Sequence, residues 1–350
     1  MSKEKNISRA FGSDNWAGVH PDVLAAIANA NVGHAPSYGN DDLTREAVEK
    51  IRGLVGGDCE VFLLFSGTAA NVLGLQSMVR PHQAVICAAT AHVHTSEAGA
   101  AEKHIGCKLI PLAAPHGKIS AADIPKQLGY VGNEHHVQPK AVTVTQSTEY
   151  GTVYSLAELK EIAKAAHDNG LYVHMDGARI FNAAASLGCS IEETTRGVGV
   201  DVLSFGGTKN GLIAGEAIVF LNRKFAEDFD YRRMQGMQLA SKMRFVAAQY
   251  VALLSNDLWK RNAEHANRMA AMLGNGMCGL PGVRLTQRVQ SNSVFAILPA
   301  EVIPEMQQRF GFHVWNSDLN EVRLVTSFDT AESEVREFCA ELAKSVASRR

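Results

Sequence analysis

Seven short apolar runs recur through the first two thirds of the chain, set apart by helical patterns and turn-rich segments. They are EVFLLF (60–65), QAVICA (83–88), KLIPLA (108–113), KAVTVTQ (140–146), LYVHMDG (171–177), VDVLSF (200–205) and GEAIVFLN (215–222). Runs this short and continuous, rich in Val, Ile and Leu, read as strands covered on both faces. Alternation of such strands with helices predicts an α/β fold built on a mostly parallel seven-stranded sheet with helices on both faces. The strongest helix pattern is SLAELKEIAKAAHDNG (155–170). Ser155 and Glu158 make a capping box, Leu156, Leu159, Ile162, Ala163 and Ala166 share a face, and Gly170 suits the stop.

The last third changes character. Residues 239–274 read as one or two long helices. After them come strands at 283–287, 292–298 and 321–328 and helices near 301–310 and 330–348. This predicts a large domain over 1–254 and a small C-terminal α+β domain over 255–350. Residues 1–55 hold two short helices and the turn-rich SDNWAGVHP and HAPSYGNDD, an N-terminal segment expected to wrap across a partner subunit.

Charge narrows the partners. The net charge of the 350 residues is −2, with no basic stripe, which argues against nucleic acid and anionic membranes. No apolar stretch reaches the length of about 18 residues that spans a bilayer. The polar MSKEKNISRAFG lacks the apolar core of a signal peptide. Six scattered cysteines without a C-x-x-C pair fit reduced thiols in a cytoplasm.

In sheets of this kind, ligands lie at the carboxyl ends of the strands. Three elements fall there. SGT (66–68) joins strand to helix, either as a plain N-cap or as a phosphate cradle of bare amides. In HMDGAR (174–179), Asp176 closes a strand, either as a helix cap or as a carboxylate for a cationic ring nitrogen. Arg179 beside it has a planar fork suited to a carboxylate or phosphate. In SFGGTKNG (204–211), Lys209 is either a solvated turn lysine or an amine that forms a Schiff base. A lysine, a carboxylate and a phosphate cradle on three strand ends together match the needs of pyridoxal 5'-phosphate. Gly206 and Gly207 are expected to let that cofactor approach the backbone. AHVHTSE, after the second strand, offers His92 or His94 to lie flat on its ring. The pair lacks a third ligand at metal-site spacing, and no metal is expected.

With FGSDNWAGVHP, SGTAAN, AHVHTSE, MDGARIFNA, DVLSFGGTKNG, SKMRF and EVRLVTSFDT in this order, the chain resembles the threonine aldolases, within the β-eliminating lyases of the aspartate-aminotransferase-like fold, PLP fold type I. The resemblance implies a homo-oligomer with shared active sites, at least a dimer and by family resemblance a tetramer. It implies retro-aldol cleavage of L-threonine, L-allo-threonine or related β-hydroxy-α-amino acids such as phenylserine to glycine and an aldehyde. It further implies Lys209 as the Schiff-base lysine, Asp176 as partner of the pyridine nitrogen and His92 as the stacking residue. Gly67 and Thr68 would cradle the phosphate, with Thr208 adding a hydroxyl and Arg244 serving a neighbouring subunit's phosphate. Ser13, Arg179 and Arg323 would hold the substrate carboxylate, Tyr38 would approach a neighbouring site, and Glu97 would stand near the cofactor. One departure stands out: the family's E-N-T-H-N histidine is replaced in QSTEYG by Glu149. The catalytic base is therefore His92, Glu149 or a water they hold. A β-eliminating lyase acting on another amino acid is the alternative activity.

Overall fold

The structure, a computed structural model, describes residues 10–348; the polar residues 1–9 weighed against a signal peptide lie outside them. Seven strands form the main sheet: β1 (Glu60–Leu64), β2 (Gln83–Ala88), β3 (Lys108–Leu112), β4 (Gln138–Thr145), β5 (Tyr172–Gly177), β6 (Val202–Gly206) and β7 (Glu216–Phe220). Their order across the sheet is β1-β7-β6-β5-β4-β2-β3. β7 runs antiparallel to both its neighbours, and the other six strands share one direction. Every residue of β6 and β7 is buried, as continuous apolar strands covered on both faces must be.

Each apolar run thus contains a strand, with ends that move by up to two residues: 83–88 is unchanged, the fourth strand begins two residues earlier than expected, and the sixth is shifted to Val202–Gly206. The helix Leu156–Asp168 carries the expected reciprocal bonds between Ser155 and Glu158, and Leu159, Ile162, Ala163 and Ala166 are buried. The 239–274 pattern resolves into two helices, Arg244–Leu253 and Leu258–Met277. The break falls where Asn256 and Asp257 adopt left-handed φ of 52° and 54°, a conformation that short polar side chains tolerate better than most.

A second, antiparallel sheet has the order β10-β11-β9-β8, from β8 (Arg284–Leu285), β9 (Ser293–Ile297), β10 (His313–Asn316) and β11 (Glu321–Val325). β10 was not legible in the sequence; three of its four residues are exposed, so HVWN has no apolar alternation to reveal it.

Two apolar clusters result, and both reach the Leu258–Met277 helix. Leu258, Trp259 and Ala263 belong to the larger one, whereas Met269, Ala270, Leu273 and Met277 belong to the smaller. Phe11 also joins the smaller cluster. Its amide donates to the Gly311 carbonyl at 2.6 Å, and its carbonyl accepts from the Val325 amide at 2.7 Å. The start of the described chain is therefore tied to the C-terminal sheet, and this delivers Ser13 and Asp14 toward the edge of the main sheet.

Candidate active site

Because β1, β2, β4, β5 and β6 run in one direction, the residues following their carboxyl ends meet along one edge. Strand β7 runs the other way and brings its first residue, Glu216, to the same edge, paired with Leu64 and with Gly206. A cleft of about 300 Å³ opens there. Gly67, Thr68, His92, Glu149, Asp176, Arg179, Thr208, Lys209 and Glu216 all line it.

Ser66 caps the helix Gly67–Met78 by accepting from the Ala69 amide. The amides of Gly67 and Thr68, in the first helical turn, have no intrahelical acceptor, and both residues line the cleft. Asp176 is held from two sides. Its Oδ1 accepts from the Ala178 amide at 2.9 Å, and its Oδ2 accepts from Asn71 Nδ2 at 3.0 Å. Behind it, His174 lies between Thr143 (2.8 Å) and Ser204 (3.0 Å); burial lowers its imidazole to about 4. Asn71 Nδ2 also donates to Glu97 Oε1 at 2.9 Å, and that oxygen meets His92 Nδ1 at 2.8 Å. This bond to Glu97 raises the affinity of His92 for its proton against the opposing effect of burial.

Glu149 accepts the His92 backbone N–H on Oε1 at 2.9 Å, while its buried Oε2 has no partner. Burial pushes its carboxyl up to about 7, and the nearby charge of Asp176 acts in the same direction. Glu216 is pushed to about 7 as well, again by burial, with Thr208 and Lys209 opposing the rise. Lys209 itself forms no hydrogen bond or ion pair among the described residues.

The three residues expected to hold the substrate carboxylate are embedded in further contacts. Arg179 donates from Nε (2.7 Å) and Nη2 (2.8 Å) to the two oxygens of Asp14, whose side chain is fully buried. Burial raises the Asp14 carboxyl, but Arg179 outweighs it and leaves the group below its ordinary value. Asn292 adds a bond to Asp14 at 3.0 Å. Ser13 caps the short turn Asp14–Trp16. Arg323 donates to the Gly12 carbonyl at 3.3 Å, stands over Trp315 and keeps a buried Nε without a partner. Ser13 and Arg323 thus approach the cleft through this N-terminal turn and are not among the residues lining it.

Arg244 and Tyr38 lie apart from their own chain's cleft. Arg244 reaches the carbonyls of Val32 (3.4 Å) and Gly33 (3.3 Å). Tyr38 is half exposed, and its amide donates to the Ser241 carbonyl at 3.0 Å.

The residues of SFGGTKNG have protein partners of their own. A Cβ on Gly206 would stand 2.8 Å from Ala178 Cα, and one on Gly207 would stand 2.8 Å from the Gly215 carbonyl oxygen. The neighbouring backbone thus by itself demands glycine at both positions. The Thr208 hydroxyl accepts from the Gly215 amide at 3.2 Å and bonds the Glu216 carboxyl. The sequence reading also passed over Asp14, Asn71 and Glu216. Asp14 and Asn71 lie inside SDN and SGTAAN and could have been singled out; Glu216 begins an antiparallel strand, where a rule about carboxyl ends does not look.

These residues fit pyridoxal phosphate. Bare helix amides at Gly67 and Thr68 suit its phosphate, Asp176 suits a protonated ring nitrogen and Lys209 an aldehyde. Asn71 Oδ1, Glu97 Oε2 and Glu149 Oε2 are buried without partners around the same cleft, as expected where a polar group completes the site.

Comparison with known proteins agrees. A model of the β-eliminating lyase family matches residues 10–301. The low-specificity L-threonine aldolase of Pseudomonas sp. (strain NCIMB 10558) is 44% identical over 96% of this chain and 97% of its own. That of Pseudomonas aeruginosa is 45% identical over the same shares. A solved threonine aldolase from Leishmania major superposes with a TM-score of 0.92 at 31% identity, covering 97% of this chain and 99% of that one. A cystine C-S lyase shares the fold at a TM-score of 0.69 and 17% identity. The cleft and the kinship along the whole chain lead to one conclusion: this chain belongs to the β-eliminating lyase family and, within it, to the threonine aldolases.

Proposed function

We propose that the protein is a pyridoxal-phosphate-dependent low-specificity L-threonine aldolase. It cleaves L-threonine, L-allo-threonine and related β-hydroxy-α-amino acids to glycine and an aldehyde, with phenylserine a further candidate substrate. The match to low-specificity L-threonine aldolases over nearly the full length of both chains carries this reading. The meeting of Lys209, Asp176 and the bare Gly67 and Thr68 amides on one cleft supports it.

When bound, pyridoxal phosphate supplies the electron sink that accepts the pair released as the substrate's Cα–Cβ bond breaks. Lys209 Nζ would be the amine that holds it, Asp176 would keep a proton on its ring nitrogen, and the His92 imidazole would pack against it. Arg179 presents Nη1, the nitrogen Asp14 leaves unused, and Arg323 presents its unpartnered Nε to the substrate carboxylate, with Ser13 beside them. That clamp orients the Cα–Cβ bond for cleavage. Glu149 is assigned as the base that takes the β-hydroxyl proton on its free Oε2. His92 is the weaker base candidate because Glu97 favours its protonated form. The protonated Glu149 can return its proton to Cα after the aldehyde leaves.

Arg244 and Tyr38, absent from the lining of their own cleft, are assigned to a neighbouring subunit's site in a homo-oligomer. No helix of the described residues is long and apolar enough to cross a membrane. The six cysteines carry no disulfide, which fits a cytoplasmic setting.

The test is product analysis with cofactor present. Aldehyde and glycine in equal amounts are expected from L-threonine; pyruvate and ammonia instead would assign an eliminase. Lys209→Ala should lose the visible absorbance of the bound cofactor and turnover together.

A further inference from the structure

Glu216 is the one carboxylate of the cleft to which the reaction above gives no task. It is buried at the first position of β7, in register with Gly206, three residues before Lys209. The Thr208 amide and hydroxyl, next in sequence to Lys209, bond its carboxyl, and Lys209 acts on it electrostatically without a direct ion pair. A buried carboxyl without a cationic hydrogen-bond partner is costly and would serve no packing purpose that an apolar residue could not.

We propose that Glu216 is the charge partner of Lys209: a positioning residue that holds the turn Thr208–Asn210 through Thr208 and favours the proton on Lys209 Nζ. This rests on the assignment of Lys209 as the lysine that holds the cofactor. Burial raises the Glu216 carboxyl and Lys209 lowers it, so ionised Glu216 and protonated Lys209 stabilise each other. Other charged groups also act there. Asp176 faces Glu216 from β5, and the Tyr250 hydroxyl faces it from the Arg244–Leu253 helix. Asp14 and His92 act on Lys209 from the N-terminal turn and from the segment after β2. Glu216 differs from these in being bonded to the turn that carries the lysine.

The experiment is a pH titration of the visible absorbance of the holoenzyme, which reports the proton on the lysine nitrogen without turnover. Glu216→Gln should keep the band and lower its midpoint by about one pH unit, a ten-fold loss of proton affinity. Glu216→Asp, which retains the charge, should keep a midpoint close to that of the wild type. An unchanged midpoint in Glu216→Gln overturns the proposal. If that variant fails to load cofactor, Glu216→Ala is titrated in its place, and an unchanged midpoint there overturns the proposal equally. A band that survives in Lys209→Ala would instead defeat the assignment of Lys209, a distinguishable result.

Discussion

Replacing Glu149 by Gln separates the two candidate bases. Gln keeps the length of the side chain and an oxygen that can accept the His92 N–H, which Glu149 Oε1 now accepts at 2.9 Å. The scaffold is therefore retained and only the proton acceptor is lost. Removal of a positioned base costs about 10²–10⁴ in rate, or about 3–5 kcal/mol of barrier. The pH dependence follows from the environment of the group. Burial raises its carboxyl to about 7, and a base works only when ionised, so activity should rise with pH through that value. About a tenth of the sites would be competent one unit below the midpoint and about nine tenths one unit above it. The assay is aldehyde release from L-threonine across pH 5.5–9 at saturating cofactor, with kcat and kcat/KM separated. Wild type should show an acid limb near 7, and the Glu149→Gln variant should lose both the rate and the limb. A variant that keeps more than about a tenth of wild-type kcat, with the limb in place, would refute the assignment and return the role to His92.

The same buried carboxyl should tax stability. Its folded pKa lies above its unfolded one, so stability is greatest below the unfolded value and falls as pH rises toward about 7; Glu149→Gln should raise Tm at pH 8 and leave it nearly unchanged at pH 4.5. Asp14→Ala breaks a buried bidentate pair and strands Arg179. A loss of about 3–5 kcal/mol is expected, and thermal scanning of this 350-residue chain should show Tm lower by about 4–7 °C. Because Asp14 has a lowered pKa, its contribution is present above the unfolded carboxylate value and is lost as pH falls through the folded one, so wild type and variant should converge in acid. Mixing Arg244→Ala with Lys209→Ala, each inactive or impaired, should recover activity that neither has alone if sites are shared between subunits; no recovery after verified subunit exchange would confine Arg244 to its own chain.

The strands were legible because burial on both faces leaves a continuous apolar run, and VDVLSF or QAVICA admits little else. The helix at 156–168 was legible through its capping box and apolar stripe. β10 was not, because its exposed residues follow no apolar period. Among the site residues, Lys209, Asp176 and the SGT turn could be found because each follows or closes a parallel strand. The glycines of SFGGTKNG press against Ala178 and Gly215, a constraint that no local pattern reveals.

The sequence by itself determined the sheet, the cofactor class and the family, since local periodicity and ordered motifs carry that information. The tertiary structure decided how the side chains are used. It turned the Arg179 fork onto Asp14, gave His92 to Glu97, left Glu149 Oε2 free and brought Glu216 in on an antiparallel strand beside Lys209. Those assignments depend on contacts between residues up to 165 positions apart, and a pKa is set by whatever charge and burial the fold brings near, not by the neighbours along the chain.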